Sequence, residues 1–290
     1  MRTLISVEEL RDRLDAGRRT VLLDVRWALG DSHGRDRYLS GHLPGAVYVD
    51  LETELAAPGS TAGGRHPLPP DREFAAAVRR WGIDDGDTVV AYDAVGAMSA
   101  ARAWWLLRHA GVDGACLLDG GLGAWVAAGL PLEPGDRRPE PGTAAAGWGG
   151  MPVIGIDEAA AWPRRGTLLD ARAGERYRGE SEPVDPRAGH VPGALSAPTA
   201  ENLDAEGRFL PAEELRARFR AMGLGDDARH GADRDAPGRG PVAVYCGSGV
   251  TAAHEVAALA VAGIDAALFP GSWSQWSADP DRPAATGPRP

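Results

Sequence analysis

Chemistry concentrates in the stretch Pro241-Val-Ala-Val-Tyr-Cys246-Gly-Ser-Gly-Val-Thr251. The apolar, β-branched run before the cysteine predicts a buried strand over Val242 to Tyr245. Thr251 to Gly263 predicts an Ala-rich helix. Cys246 therefore falls where a strand hands over to a helix, a place where free backbone N–H groups converge and the helix dipole favours negative charge. Both effects stabilise a thiolate, the nucleophilic form of cysteine. Gly247, Ser248 and Gly249 are small enough for the backbone to wrap around whatever the sulfur carries. Phosphate-ester chemistry on such a loop needs an arginine six residues after the cysteine to clamp a tetrahedral dianion. Ala252 stands there and the loop holds no cation, which excludes that class. A non-catalytic binding or carrier module is the alternative from another class. His66 lies outside the motifs that repeat along the chain, which leaves it either a structural histidine or a general acid–base group.

The elements that must position these residues come twice. Thr20-Val-Leu-Leu-Asp24-Val-Arg26 returns as Thr167-Leu-Leu-Asp170-Ala-Arg172, and Gly41-His-Leu-Pro-Gly-Ala46 as Gly189-His-Val-Pro-Gly-Ala194. Val89-Val-Ala-Tyr-Asp93 returns as Val242-Ala-Val-Tyr-Cys246, and Asp119-Gly-Gly-Leu-Gly-Ala-Trp125 as Pro270-Gly-Ser-Trp-Ser-Gln-Trp276. Four blocks in one order, spaced by about 150 residues, define a tandem duplication. In each copy strands alternate with amphipathic helices. The first copy is expected to have strands at 21–25, 46–49, 88–92 and 115–118, with helices from Ser6 (capped with Glu9) to Asp15, at 71–81 and at 99–110. The second has strands at 168–169, 242–245 and 266–269, with helices at 212–222 and 251–262. The fold class is α/β, a tandem pair of doubly wound, mainly parallel sheets. Ligands of such sheets bind at the carboxyl ends of the strands, where Cys246 falls.

The expected domains are residues 1–132, with Asp93 where the second copy has Cys246, and residues 151–280. A Pro/Gly/Ala-rich linker at 133–150 joins them, and a frayed Pro-rich tail follows at 281–290. Residues 226–240, polar and without apolar periodicity, are expected to form a mobile surface loop. With 31 Lys and Arg against 41 Asp and Glu, the net charge of −10 argues against nucleic-acid and anionic-membrane partners. No apolar stretch approaches the roughly 20 residues that span a bilayer, and the first residues do not read as a signal peptide. Two cysteines, Cys116 and Cys246, give neither a disulfide framework nor metal spacing, so a reducing cytoplasm is the expected compartment. Cys116, between Ala115 and Leu117, is expected to be buried and inert.

Taken with Gly64-Arg-His66-Pro-Leu-Pro69, these blocks resemble the two-domain rhodanese-type sulfurtransferases over roughly residues 1 to 280. The resemblance implies that Cys246 takes a sulfane sulfur as a persulfide and passes it to a thiophilic acceptor: cyanide, a small thiol or a protein cysteine. It implies no metal and no organic cofactor. Amides from Gly247, Gly249, Val250 and Thr251 are expected to hold the persulfide anion. Within the family, thiosulfate-preferring enzymes carry basic positions after the cysteine, whereas 3-mercaptopyruvate-preferring ones carry Gly-Ser-Gly-Val-Thr, as here. The family pattern implies a proton relay of Ser248, His66 and Glu52, the last two contributed by the first domain, with glutamate where aspartate is more usual. It assigns Arg176 to the donor's carboxylate. Its second arginine usually follows a Glu-Pro pair directly; here Glu182-Pro183-Val-Asp-Pro-Arg187 displaces it, and Arg187 is taken as the candidate. Arg172 is expected to pair with a neighbouring acid. His42 and His190, one per copy, are expected to hold turns. Trp104 and Trp105 are expected in the core, and Trp273 and Trp276 at the cleft edge.

Overall fold

A computed structural model describes residues 2–225 and 240–290, so the expected loop at 226–240 lies almost wholly outside the described residues. The chain divides into two units. The first runs up to Ala57 and takes in Leu68–Met151 and Leu203–Phe209; the second takes in Pro58–Pro67, Pro152–Asn202 and the chain from Leu210 onward.

In the first unit, strands β1 (Leu4–Ile5), β2 (Thr20–Asp24), β3 (Val47–Tyr48), β4 (Thr88–Tyr92) and β5 (Ala115–Leu118) form one sheet in the order β1-β5-β4-β2-β3. Every pairing is parallel. The central strands are buried along most of their length, which explains why they read as continuous apolar runs rather than alternations. Helix Val7–Asp15 starts on the expected capping box of Ser6 and Glu9. Residues 131–150 run along this unit, with the amides of Gly142 and Ala144 bonded to the carbonyls of Arg79 and Ile83.

The second unit repeats the plan. Strands β6 (Thr167–Asp170), β7 (Leu195–Ser196), β8 (Val242–Tyr245) and β9 (Ala266–Leu268) lie parallel in the order β7-β6-β8-β9. An isolated bridge from Val153 to Leu268 stands where β1 stands in the first sheet. Short elements that no periodicity announces complete the units, among them helices Gly121–Ala127, Gly174–Tyr177 and Ser272–Ala278.

The repeated motifs are structural in both copies. Asp24 takes Arg26 side-on at 2.9 and 2.7 Å, and Asp170 takes Arg172 at 3.0 and 2.7 Å. His42 stacks on Tyr38 and its Nδ1 meets the Tyr38 carbonyl at 2.9 Å; His190 does the same with Tyr177 at 2.8 Å. Trp104 and Trp105 are buried, as expected. The tail expected to fray is instead tied down: Ala285 and His190 exchange backbone hydrogen bonds, the Trp276 indole donates to the Pro283 carbonyl, and the Gly287 amide reaches Arg178. Fixed proline φ angles lower the entropy lost in holding such a segment, and paired backbone groups keep it in place.

Candidate active site

Strand β8 ends in Tyr245 and delivers Cys246, 1% exposed, to the start of helix Thr251–Ala262. The turn between them is fixed from both sides. Gly249 has φ +80°, and a Cβ there would lie 2.4 Å from the Pro270 carbonyl oxygen, so only glycine fits. The carbonyls of Cys246 and Gly247 are taken by the amides of Trp273 and Ser274 at 2.9 and 2.8 Å. Within the turn the Gly249 amide donates to Cys246 Sγ at 3.1 Å, a bond that favours negative charge on sulfur. Val250 is buried just ahead of the helix, and Thr251 is its first residue.

Ser272 belongs to this constellation and escaped the sequence. Its backbone sits at φ +54°, a conformation that disfavours any side chain, yet its hydroxyl receives the Cys246 amide at 3.1 Å and donates to the Phe269 carbonyl. The first unit holds Gly121 at the equivalent place, with φ +53°. A non-glycine residue standing where the other copy has glycine was the signal available.

Ser248 and His66 come together: Ser248 Oγ lies 2.7 Å from His66 Nδ1, with both residues buried. His66 arrives on residues 58–67, which fold with the second unit although they precede most of the first in sequence. That segment closes on itself through reciprocal Ser60 and Gly64 backbone bonds. It is pinned to helix Ser272–Ala278 by the Arg65 amide on Ser274 Oγ and by Gln275 Nε2 on the Ala62 carbonyl. A hydroxyl held by imidazole is a proton donor whose charge the ring can replenish. Glu52 stands in the first unit on helix Leu51–Glu54, where its Oε1 accepts from the Trp27 indole at 2.8 Å.

Arg176 is present at the loop. A Cβ built on Gly247 would lie 3.5 Å from Arg176 Nη1 and 3.3 Å from Nη2 of Arg65, so two guanidinium groups flank the residue after the cysteine. Arg176 is held by Glu182 Oε1 at 2.6 Å and by Asp185 Oδ2 at 3.1 Å. Burial pushes the Glu182 carboxyl up, but Arg176 and the amides of Asp185 and Val184 outweigh it, and the group titrates below its ordinary range. Arg65 was overlooked as a site residue although it stands next to His66. Its side chain becomes relevant only once residues 58–67 dock beside the loop.

Arg187 is a correction. Its guanidinium donates to the carbonyls of Ser277 at 3.0 Å, Arg282 at 2.8 Å, Trp276 at 3.0 Å and Asp279 at 2.6 Å. It closes the C-terminus of helix Ser272–Ala278, whose last carbonyls have no intrahelical donors, and this use of its fork replaces the expected grip on a donor carboxylate. Replacing Arg187 with Met is expected to cost about 2 kcal/mol, read as a melting temperature lower by roughly 4–8 °C. KM for the donor should stay within about twofold, and a selective rise in KM would restore a binding role. Trp273 and Trp276 are buried members of the same core, and Trp273 carries the Arg172 guanidinium over its ring. Cys116 is buried, and burial pushes its thiol up to about 11, so it stays protonated and unreactive.

Two parallel α/β units, one with a cysteine cradled at a strand-to-helix turn and one with aspartate there, define the class. The chain belongs to the rhodanese family: the Rhodanese-like domain matches residues 6–128 and again residues 156–279. It is 45% identical over 287 residues to the putative thiosulfate sulfurtransferase SseB of Mycobacterium tuberculosis, covering 98% of this chain and 97% of that one. It is equally 45% identical, over 296 residues, to a probable 3-mercaptopyruvate sulfurtransferase of Pseudomonas aeruginosa, covering 98% of each. Among solved structures, SseA from Escherichia coli matches with TM-score 0.79 at 32% identity, over 94% of this chain and 100% of that one.

Proposed function

We propose that this chain is a sulfurtransferase that moves sulfane sulfur through a Cys246 persulfide, with 3-mercaptopyruvate favoured over thiosulfate as donor. The observation that carries the reading is the Ser248–His66 pair, 2.7 Å apart and buried on the loop that holds Cys246. The Cys246 thiolate attacks the sulfur of the donor's thiol, the carbon–sulfur bond breaks with its electron pair left on carbon as the enolate of pyruvate, and the thiol proton leaves the new persulfide for the Ser248–His66 pair. Ser248 protonates that carbon and recovers a proton through His66. Glu52 is the proposed acid of this relay. Loop amides from Gly247, Gly249, Val250 and Thr251 hold the persulfide anion, as the Gly249 amide holds Sγ. An acceptor such as cyanide or a thiol then attacks the outer sulfur, the S–S bond breaks and the thiolate returns. Two half-reactions on one covalent intermediate give ping-pong kinetics.

Thiosulfate needs no carbon protonated as sulfur leaves, which makes the donors separable. Ser248→Ala is expected to lower kcat with 3-mercaptopyruvate by about 10²-fold while lowering it less than about fivefold with thiosulfate. The check is steady-state cyanide-acceptor kinetics with both donors side by side. Equal losses would remove the proton relay.

The two relatives at 45% identity carry different donor names. What favours 3-mercaptopyruvate here is the hydroxyl after Gly247 and the lack of any Lys or Arg between Cys246 and Thr251. Among the described residues no helix is long and apolar enough to cross a membrane.

A further inference from the structure

Three arginines and three acids form one line leading to the loop. Asp170 holds Arg172, Arg172 Nη1 reaches Glu182 at 3.2 Å, Glu182 holds Arg176, and Asp185 joins Arg176 to Arg65. Asp185 gives one oxygen to each arginine, 2.5 Å to Arg65 Nη1 and 3.1 Å to Arg176 Nη2, and its side chain is only 2% exposed. Both guanidinium groups lie against Gly247. Among the described residues the buried Arg65 Nε has no hydrogen-bond partner, which leaves a donor unsatisfied beside the site.

The line of six charges sums to zero. A donor arriving at Arg65 and Arg176 therefore meets two good forks whose two charges the buried carboxylates of Asp185 and Glu182 balance. A monoanionic carboxylate brings one excess negative charge to that spot, and a dianionic sulfonate end brings two. We propose that Asp185 is a specificity-determining residue: by bridging Arg65 and Arg176 it admits a monoanionic donor and penalises a dianionic one. The proposal rests on the sulfurtransferase reading and deepens its donor preference. It also explains how selectivity arises without a repulsive group in the loop itself, by placing the repulsive charge behind the binding one.

Charge energies scale with the product of the charges, so removing the Asp185 charge should help a dianion twice as much, in logarithm, as a monoanion. The test uses the full chain with cyanide as acceptor and both donors. Asp185→Asn is expected to raise kcat/KM for thiosulfate relative to 3-mercaptopyruvate by about tenfold or more. Arg65→Gln is expected to move the same ratio the other way, while Asp185→Glu keeps it near the wild-type value. A purely structural role for these residues would scale both donors alike. Calorimetric binding of sulfate and of pyruvate to the same variants gives a readout independent of turnover: Asp185→Asn should tighten sulfate more than pyruvate. An unchanged donor ratio in folded Asp185→Asn, or an Arg65→Gln variant that scales both donors equally, overturns the proposal. If wild-type chain takes no sulfur from 3-mercaptopyruvate, the donor reading fails instead, and the sulfate–pyruvate comparison still decides the role of Asp185.

Discussion

Replacing Cys246 with Ser is expected to abolish sulfur transfer from either donor, a loss of at least about 10⁴-fold, while leaving the melting temperature unchanged within about 2 °C. The loss is total because no other group can carry the sulfur. A serine oxygen is a poor nucleophile toward sulfur, and Cys116 is buried with its thiol pushed up to about 11 and bonded to the Val89 carbonyl at 3.7 Å. The fold is spared because the loop is held by groups other than the sulfur: the Trp273 and Ser274 amides, the Ser272 hydroxyl and the close fit of Gly249 against Pro270. Intact-mass measurement after incubation with donor, without acceptor, should show the mass of one sulfur atom on wild-type chain and none on Cys246→Ser. Peptide mapping should place it on Cys246. Residual turnover in the serine variant, or sulfur found on Cys116, would transfer the role elsewhere.

The strands and long helices were legible because burial on both faces leaves continuous apolar runs and because the duplication shows each run twice. Thr88–Tyr92, Ala115–Leu118, Val242–Tyr245 and Thr251–Ala262 fall where the pattern puts them. Cys246 was legible from the same logic, since a strand, a small-residue turn and a helix leave a junction with free amides. The arginines were legible only in part, Arg172 and Arg176 falling as expected and Arg187 and Arg65 not. Arg176 and Arg187 stand close together in sequence, yet one lies at the loop and the other caps a helix end. Which of them meets the site depends on where a short segment without periodicity turns, and side-chain reach exceeds what spacing can specify. Arg65 was hidden for a related reason, because residues 58–67 fold with the second unit, a pairing across more than half the chain. Ser272 carries its signal in the comparison between copies rather than in its own neighbourhood.

That comparison also yields the second large effect, at Asp93. The first unit keeps the strand, the turn and the helix, but its loop closes on its own carboxylate. Oδ1 of Asp93 accepts from the amides of Val95 and Ala97 at 2.9 Å each, and Oδ2 from Ser99 and Ala100 at 2.8 and 3.0 Å. Ala97 adopts φ +67°, a left-handed conformation that such bonds must hold against its Cβ. Burial pushes the Asp93 carboxyl up and outweighs the four amides, which favour its ionised form; those bonds consume the anion-binding capacity that the second loop keeps for sulfur. Asp93 is wholly buried, so Asp93→Ala leaves four amides without acceptors. At about 1–3 kcal/mol for each orphaned donor, and with partial relaxation, the loss should reach about 4 kcal/mol, a melting temperature lower by roughly 10–15 °C. Asp93→Asn separates filling from bonding. It keeps the volume but turns an NH₂ group toward two of the amides, so it should lose nearly as much as alanine does. An asparagine variant that melts like wild type in heat and denaturant would mean that the side chain only fills space, and the reading of the first loop as a nest closed on its own carboxyl group would fall.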